Sequence, residues 1–183
     1  MAATQCNGAL RRSRLHLELL ETREVLSVFT PTAVEQAFLE QLNDARANPA
    51  AYGASIGLDL SSVAPAQPLA FDPRLIQSAR LHSQDMNDRS YFAHITPDGI
   101  GPGQRMADAG LAAMNYGESI AGGYPGPSQA LSALILDNGI PDLGHRRHLL
   151  AIDSAFQSQN VVGIGIVQQG SGPLGNYYTI DTA

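Results

Sequence analysis

Residues 160–168 read Asn-Val-Val-Gly-Ile-Gly-Ile-Val-Gln, and they are followed by a glycine-bearing segment at 170–175 and by Tyr177-Tyr178-Thr179-Ile180. β-Branched and aromatic side chains suit a pleated, half-buried backbone, and glycines inside such a run mark places where another backbone comes close. The stretch therefore predicts a sheet-centre strand, a turn and an antiparallel partner. Tyr116–Ala121 supplies a third strand.

N-terminal to this hairpin the chain has helix grammar. Thr32, with Glu35 three residues on, forms a capping box, and Val34, Phe38 and Leu42 recur at four-residue spacing, which predicts a helix over 32–47. Asn48-Pro49 stops it, because the residue before proline is driven out of the helical region. Residues 53–70 mix Gly, Ser, Pro and Ala and read as a surface connection with at most a short turn. Asp72-Pro73 opens a second helix that keeps Leu75, Ala79, His82 and Met86 on one face and ends near Arg89. Residues 93–104 read as a loop that presents His94, and a short helix spans 102–109 with Gly110 as its cap. Ser128 caps a further helix through Leu131, Leu134 and Ile135 that ends at Asn138-Gly139. Helices that precede and interrupt a small antiparallel sheet imply an α+β fold in packed layers.

With 183 residues, 44% of them hydrophobic, the chain fits one globular domain over 32–183 behind a leader at 1–31. Every basic residue is arginine, and beyond residue 31 seven arginines face fourteen acids, a net charge of −7. An acidic body without a basic stripe repels phosphate backbones, so no nucleic-acid partner is expected. The lone cysteine, Cys6, rules out an internal disulfide and a cysteine-based zinc site. No run approaches the ~18 uninterrupted apolar residues of a membrane span, and none is expected. Arg, His and Glu also interrupt every apolar stretch between Met1 and Phe29, so an ordinary signal peptide is not visible. The pattern Leu20-Glu21, Arg23, Leu26-Ser27, behind Arg11, Arg12 and Arg14, instead resembles the N-terminal segment of exported planctomycete proteins. A short amphipathic helix that pads the domain is the alternative.

Three polar residues stand in unusual settings: His94 in Ser90–Gly99, Glu118 in Tyr116–Gly123, and His145 in Pro141–Leu150. Two imidazoles and a carboxylate can bind a divalent ion such as zinc while leaving positions open. The histidines are 51 residues apart, so nothing local forces them together.

The ordered segments LNDARANP (42–49), ARLHSQDM (79–86), YFAHITPDG (91–99) with Arg105 and Gly110, GESIAGG (117–123), GHRRHLL (144–150), VVGIGI (161–166) and YYTID (177–181) together resemble bacterial domains of the CAP superfamily, the cysteine-rich secretory, antigen 5 and pathogenesis-related-1 type. The likeness runs over roughly residues 34–181. It implies a three-layer α-β-α sandwich, an extracellular or cell-surface location, and a long cleft holding two histidines and acidic residues. By motif match His94 is the first cleft histidine, Glu118 the acid of the Gly-Glu-Asn element and His145 the second histidine. Ser119 replaces that element's asparagine, which removes an amide donor from the cleft edge. Gln129 and Leu134 stand where many members carry a second acid and a tryptophan, which leaves a three-residue cluster of lower cation affinity.

The remaining polar residues read as structural. His82 lies on the apolar face of its helix as a hydrogen-bonded core histidine, and Arg105 and Arg146 pair with carboxylates. His148 is an exposed residue or an alternate ligand, and Asp98-Gly99 is a turn. The Gly-Glu-Ser sequence lacks the nucleophile elbow of a serine hydrolase. The leading expectation is a binding module whose cleft captures a small molecule, lipid or peptide, with or without a divalent ion. The alternative is a zinc-dependent hydrolase with Glu118 as general base on metal-bound water. A third reading makes the cluster a hydrogen-bonded structural network.

Overall fold

A computed structural model describes residues 30–183, so all but the last two residues of the expected leader lie outside the described residues. The elements run α1 (Ala33–Ala47), α2 (Pro49–Ser55), β1 (Ala70–Phe71), α3 (Pro73–Asp88), α4 (Pro102–Asp108), β2 (Gly117–Gly122), α5 (Pro127–Leu136), α6 (Gly144–Leu149), α7 (Ser154–Gln157), β3 (Val161–Val167) and β4 (Tyr177–Thr182). The sheet has the order β1-β3-β4-β2, with β3–β4 and β4–β2 antiparallel. Helices α1, α5 and α6 cover one face and α3 covers the other, giving an α-β-α sandwich.

Period-two alternation sends the two faces of each strand to different partners. Val162 and Ile164 of β3, with Tyr178 and Ile180 of β4, meet Phe38 and Leu42 of α1 and Leu131 and Ile135 of α5 in the main core. On the other face α3 lies against glycines. A Cβ at Gly163 would stand 1.9 Å from the Leu75 carbonyl carbon, and one at Gly165 would stand 2.2 Å from that of Ala79. The glycines of the quoted strand are thus the close-approach positions that its sequence suggests. Met86, Ile120 and Tyr177 close the end of this layer.

Several boundaries differ from expectation, each for a local reason. Asn48 does end α1, yet its Oδ1 also accepts from the Ala51 N–H at 3.1 Å and Pro49 takes the first helical position, so α2 begins where the sequence marks only a stop and runs into the start of the expected connection. Helix α5 starts at Pro127 behind Gly126, without the side-chain cap expected of Ser128, and stops at Leu136. The sheet is mixed rather than purely antiparallel, because β1 pairs parallel with β3 through two residues. The capping box at Thr32 and Glu35 forms as expected, with Arg80 of α3 closing on Glu35 at 2.6 Å.

Candidate functional site

The site is built where the two helical layers meet at β2, the edge strand. Glu118 points to the α3 side with its side chain 2% exposed. Its Oε1 accepts from His94 Nδ1 at 2.7 Å, and its Oε2 accepts from Arg105 Nη2 of α4. Arg105 Nη1 also donates to the carbonyls of His94 (2.9 Å) and Ile100 (3.0 Å), so one guanidinium fixes both the carboxylate and the loop that carries His94. Burial pushes the Glu118 carboxyl up, but the His94 hydrogen bond, the Arg105 charge and His82 outweigh it and hold the group below its ordinary value. Arg105 therefore pairs with a carboxylate, as the sequence suggests.

The opposite wall comes from the α5–α6 connection. Asp137 caps the C-terminus of α5 in the left-handed region, φ 55°, a conformation that aspartate tolerates better than most residues. Its Oδ1 accepts from His145 Nδ1 at 2.7 Å, and its Oδ2 accepts from the backbone N–H of His145 (3.0 Å) and Arg146 (3.2 Å) at the start of α6. Arg146 turns back to donate to the carbonyls of Ile135 and Leu136, both at 2.6 Å, where its positive charge suits the end of α5. It caps backbone instead of pairing with a carboxylate. Asp137 is the residue of this candidate site that sequence reasoning passes over: Asp-Asn-Gly at a helix end signals a turn, and only the left-handed turn brings the carboxylate to a histidine eight residues on.

His94, Glu118 and His145 all line a cavity of about 360 Å³, together with Gly117, Asp142 and Gly144. A smaller pocket of about 210 Å³, lined by Phe92, Ile120, Tyr124 and Leu134, shares Ile140 and His145 with it. The cleft is thus mixed throughout, with the larger number of apolar residues at the end of the smaller pocket, where Asp137, Asn138 and His145 also reach it. A carboxylate can only accept, so Nδ1 is the protonated nitrogen of each ring, and Nε2 of each makes no hydrogen bond to another described residue. Among the described residues no three His, Cys, Asp or Glu side chains group as a metal site.

The remaining candidates are structural. His148 borders the cleft, but it is 4% exposed and both its nitrogens are taken, Nδ1 by Ser119 Oγ at 2.8 Å and Nε2 by Thr182 Oγ1 at 2.5 Å. Burial, with Arg46 and His145 adding to it, lowers its pKa to about 3, so it is a neutral core imidazole, neither an exposed residue nor a spare ligand. Ser119 is fully buried against it, so the serine changes the core and not the cleft edge. His82 is also fully buried, with Nδ1 3.4 Å from the Tyr91 hydroxyl and Nε2 4.0 Å from Glu118 Oε2, and burial lowers its pKa to about 4. Asp181 lies opposite Glu118 in the ladder and accepts from Ser78 Oγ at 2.7 Å. Burial, then the Glu118 charge, raises its pKa well above the ordinary carboxylate range.

The family model described as the cysteine-rich secretory protein family, CAP, matches residues 39–181. The chain belongs to the CAP family. Relatives of this CAP domain include the uncharacterized protein YkwD of Bacillus subtilis strain 168, 33% identical over 105 residues, which are 57% of this chain and 37% of that protein. Among solved structures, an extracellular protein containing an SCP domain from Bacillus anthracis superposes with a TM-score of 0.54 at 22% identity, covering 80% of this chain and 40% of that one. An outer surface protein of Borrelia burgdorferi gives 0.54 at 13% identity, with coverages of 80% and 92%. Schistosoma mansoni venom allergen-like protein 4 gives 0.52 at 14%, with 84% and 89%. The CAP domain thus spans less than half the length of the two Bacillus proteins.

Proposed function

We propose that this CAP domain is an extracellular or cell-surface binding module whose cleft captures a ligand through the Nε2 atoms of His94 and His145. The observation that carries this reading is the pairing of each histidine with its own carboxylate, His94 with Glu118 and His145 with Asp137. Each pair fixes a ring that borders the cavity and leaves its Nε2 unbonded by other described residues, and the more apolar pocket beside His145 offers room for a hydrophobic group. The location follows the B. anthracis and Borrelia proteins, whose descriptions call them extracellular and outer-surface.

A hydrolase with Glu118 as general base fits less well. Both carboxylate oxygens are engaged, one by His94 and one by Arg105, and the group's basicity is lowered. The same reading extends to a divalent cation only in a reduced form, because no third ligating side chain groups with the histidines among the described residues. His94 and His145 would be its two protein ligands, with Glu118 and Asp137 as the outer partners that orient metal-bound imidazoles. Such an ion would supply attraction for an anionic or carbonyl oxygen of the ligand, and solvent or ligand would complete its coordination.

The test is protein-observed NMR of the whole chain with a panel of small-molecule fragments, sodium laurate and short peptides, beside a turnover assay on 4-nitrophenyl esters. Shifts at residues 117–122 and 137–145 that vanish in His94→Ala/His145→Ala, without hydrolysis above that variant, are expected. Hydrolysis lost in Glu118→Gln while binding persists would overturn the reading in favour of the hydrolase. Calorimetry with zinc decides the cation: binding near one equivalent, absent from the double variant, supports the two-histidine form, and no binding leaves a metal-free module.

A further inference from the structure

We infer that the ligand is an extended peptide, which joins β2 as an added strand along the floor of the cleft. This rests on the binding reading above and names the class of ligand. Among the described residues β2 has a neighbour on one side, β4, and none on the other. The Gly123 N–H donates to the Asn176 carbonyl at 2.9 Å, and these residues continue the register that sets Gly122 against Tyr177. Bonded and non-bonded pairs alternate along an antiparallel ladder. Gly117, Ser119 and Ala121 therefore bond to β4, while Glu118, Ile120 and Gly122 turn N–H and C=O outward. The far side of β4 agrees: Val161 and Ala183 exchange two bonds of 3.2 Å, so odd-numbered residues of β4 serve β3 and even-numbered ones serve β2. Among the described residues no backbone hydrogen bond from another element reaches the outward groups of Glu118, Ile120 or Gly122.

These groups lie where the two pockets run together, Gly117 and Glu118 in the larger and Ile120 to Gly122 in the smaller. Alternate residues of a strand are roughly 7 Å apart, a spacing that another strand's backbone matches group for group. An acyl chain would fill the apolar pocket and leave those donors and acceptors dry and unpaired, which is costly. A second copy of the domain is a poor occupant. Ile120 and Ala121 are 6% and 4% exposed and Phe92 and Ile140 line the same pocket, so the edge is recessed, which hinders a folded sheet more than a single extended chain. Side chains of such a peptide would alternate between the two walls, one set turning towards Phe92 and His94 on the α3 side and the other towards Tyr124 and His145 on the α5 side.

The experiment is amide hydrogen exchange by NMR on the full chain, with a random mixture of N-acetylated, C-amidated hexapeptides as probe. A second mixture carries N-methyl groups at alternate residues. Slowing of exchange at Glu118, Ile120 and Gly122 by ~10-fold or more, abolished by N-methylation, is the expected result. Cleft shifts that occur without slowing, or that survive N-methylation unchanged, overturn strand pairing and leave the binding module standing. If the peptides do nothing while laurate or fragments shift the cleft, the peptide class is wrong. If no probe shifts the cleft, the binding reading falls with it.

Discussion

Each cleft histidine is held by one carboxylate, and the chemistry depends on which atoms those pairs leave over. Glu118 neutralises Arg105, whose side chain is 9% exposed, so Glu118→Gln strands a buried cation. The expected loss is about 3 kcal/mol of unfolding free energy in urea titration, typical of breaking a buried ion pair from one side. A loss within error of zero would mean that Arg105 finds water or another acceptor and that Glu118 does not organise this wall. His94, Glu118 and His145 were legible in the sequence because each sits in a short motif whose order is specific. Asp137 was not, because its role comes from a backbone turn and not from a motif. His148 resembles His145 in sequence context, three residues on in the same segment, and only the placement of Ser119 and Thr182 shows that its ring turns inward.

Among the elements, the contact of α3 with β3 sets the geometry that the site inherits, since α3 carries His82 and leads into the His94 loop. It depends on Gly163 and Gly165. Gly163→Ala would drive a methyl carbon into the Leu75 carbonyl, a backbone atom that cannot swing aside as a side chain would. We expect a loss of about 3 kcal/mol or failure to fold, at the upper end of overpacking costs, read as a lowered urea midpoint. Unchanged stability would show that α3 can slide on the sheet. The same glycines made this strand readable, whereas α2 and β1 were missed because they are short and lie in a segment whose composition signals turns. The capping box of α1 and the Asp72-Pro73 start of α3 were read correctly because their signals are local.

Two imidazoles are buried among the described residues of the molecule, and this predicts how its stability follows pH. His82 and His148 have pKa values lowered to about 4 and about 3 by burial, against 6.5 when exposed. Below pH 6.5 the unfolded chain takes up protons that the folded one refuses, so unfolding free energy falls with falling pH. Each histidine contributes up to ~1.4 kcal/mol per pH unit until its folded value is reached. Glu118 acts in the same direction below its ordinary range, and Asp181, with its raised value, acts in the opposite one. Urea titrations between pH 7 and pH 5 on Asp181→Asn, which removes the opposing carboxylate, should show this decline, and adding His148→Gln should make it shallower; a flat profile in Asp181→Asn would mean that the two rings are not held neutral. The layered architecture was legible from the order of helices and strands, whereas the meeting of two histidines 51 residues apart was legible only through the likeness to CAP domains and not from their spacing.

The account stands on two imidazoles that face one cleft from opposite layers, each tied through Nδ1–H to a carboxylate and each offering Nε2 to a ligand. Histidine-selective ¹⁵N NMR at neutral pH reads this directly. The predicted spectrum shows the Nδ1–H tautomer for both His94 and His145, with both Nε2 resonances moving together when the hexapeptide mixture is added. An Nε2–H tautomer at either residue, or Nε2 signals indifferent to every probe that binds, would contradict it.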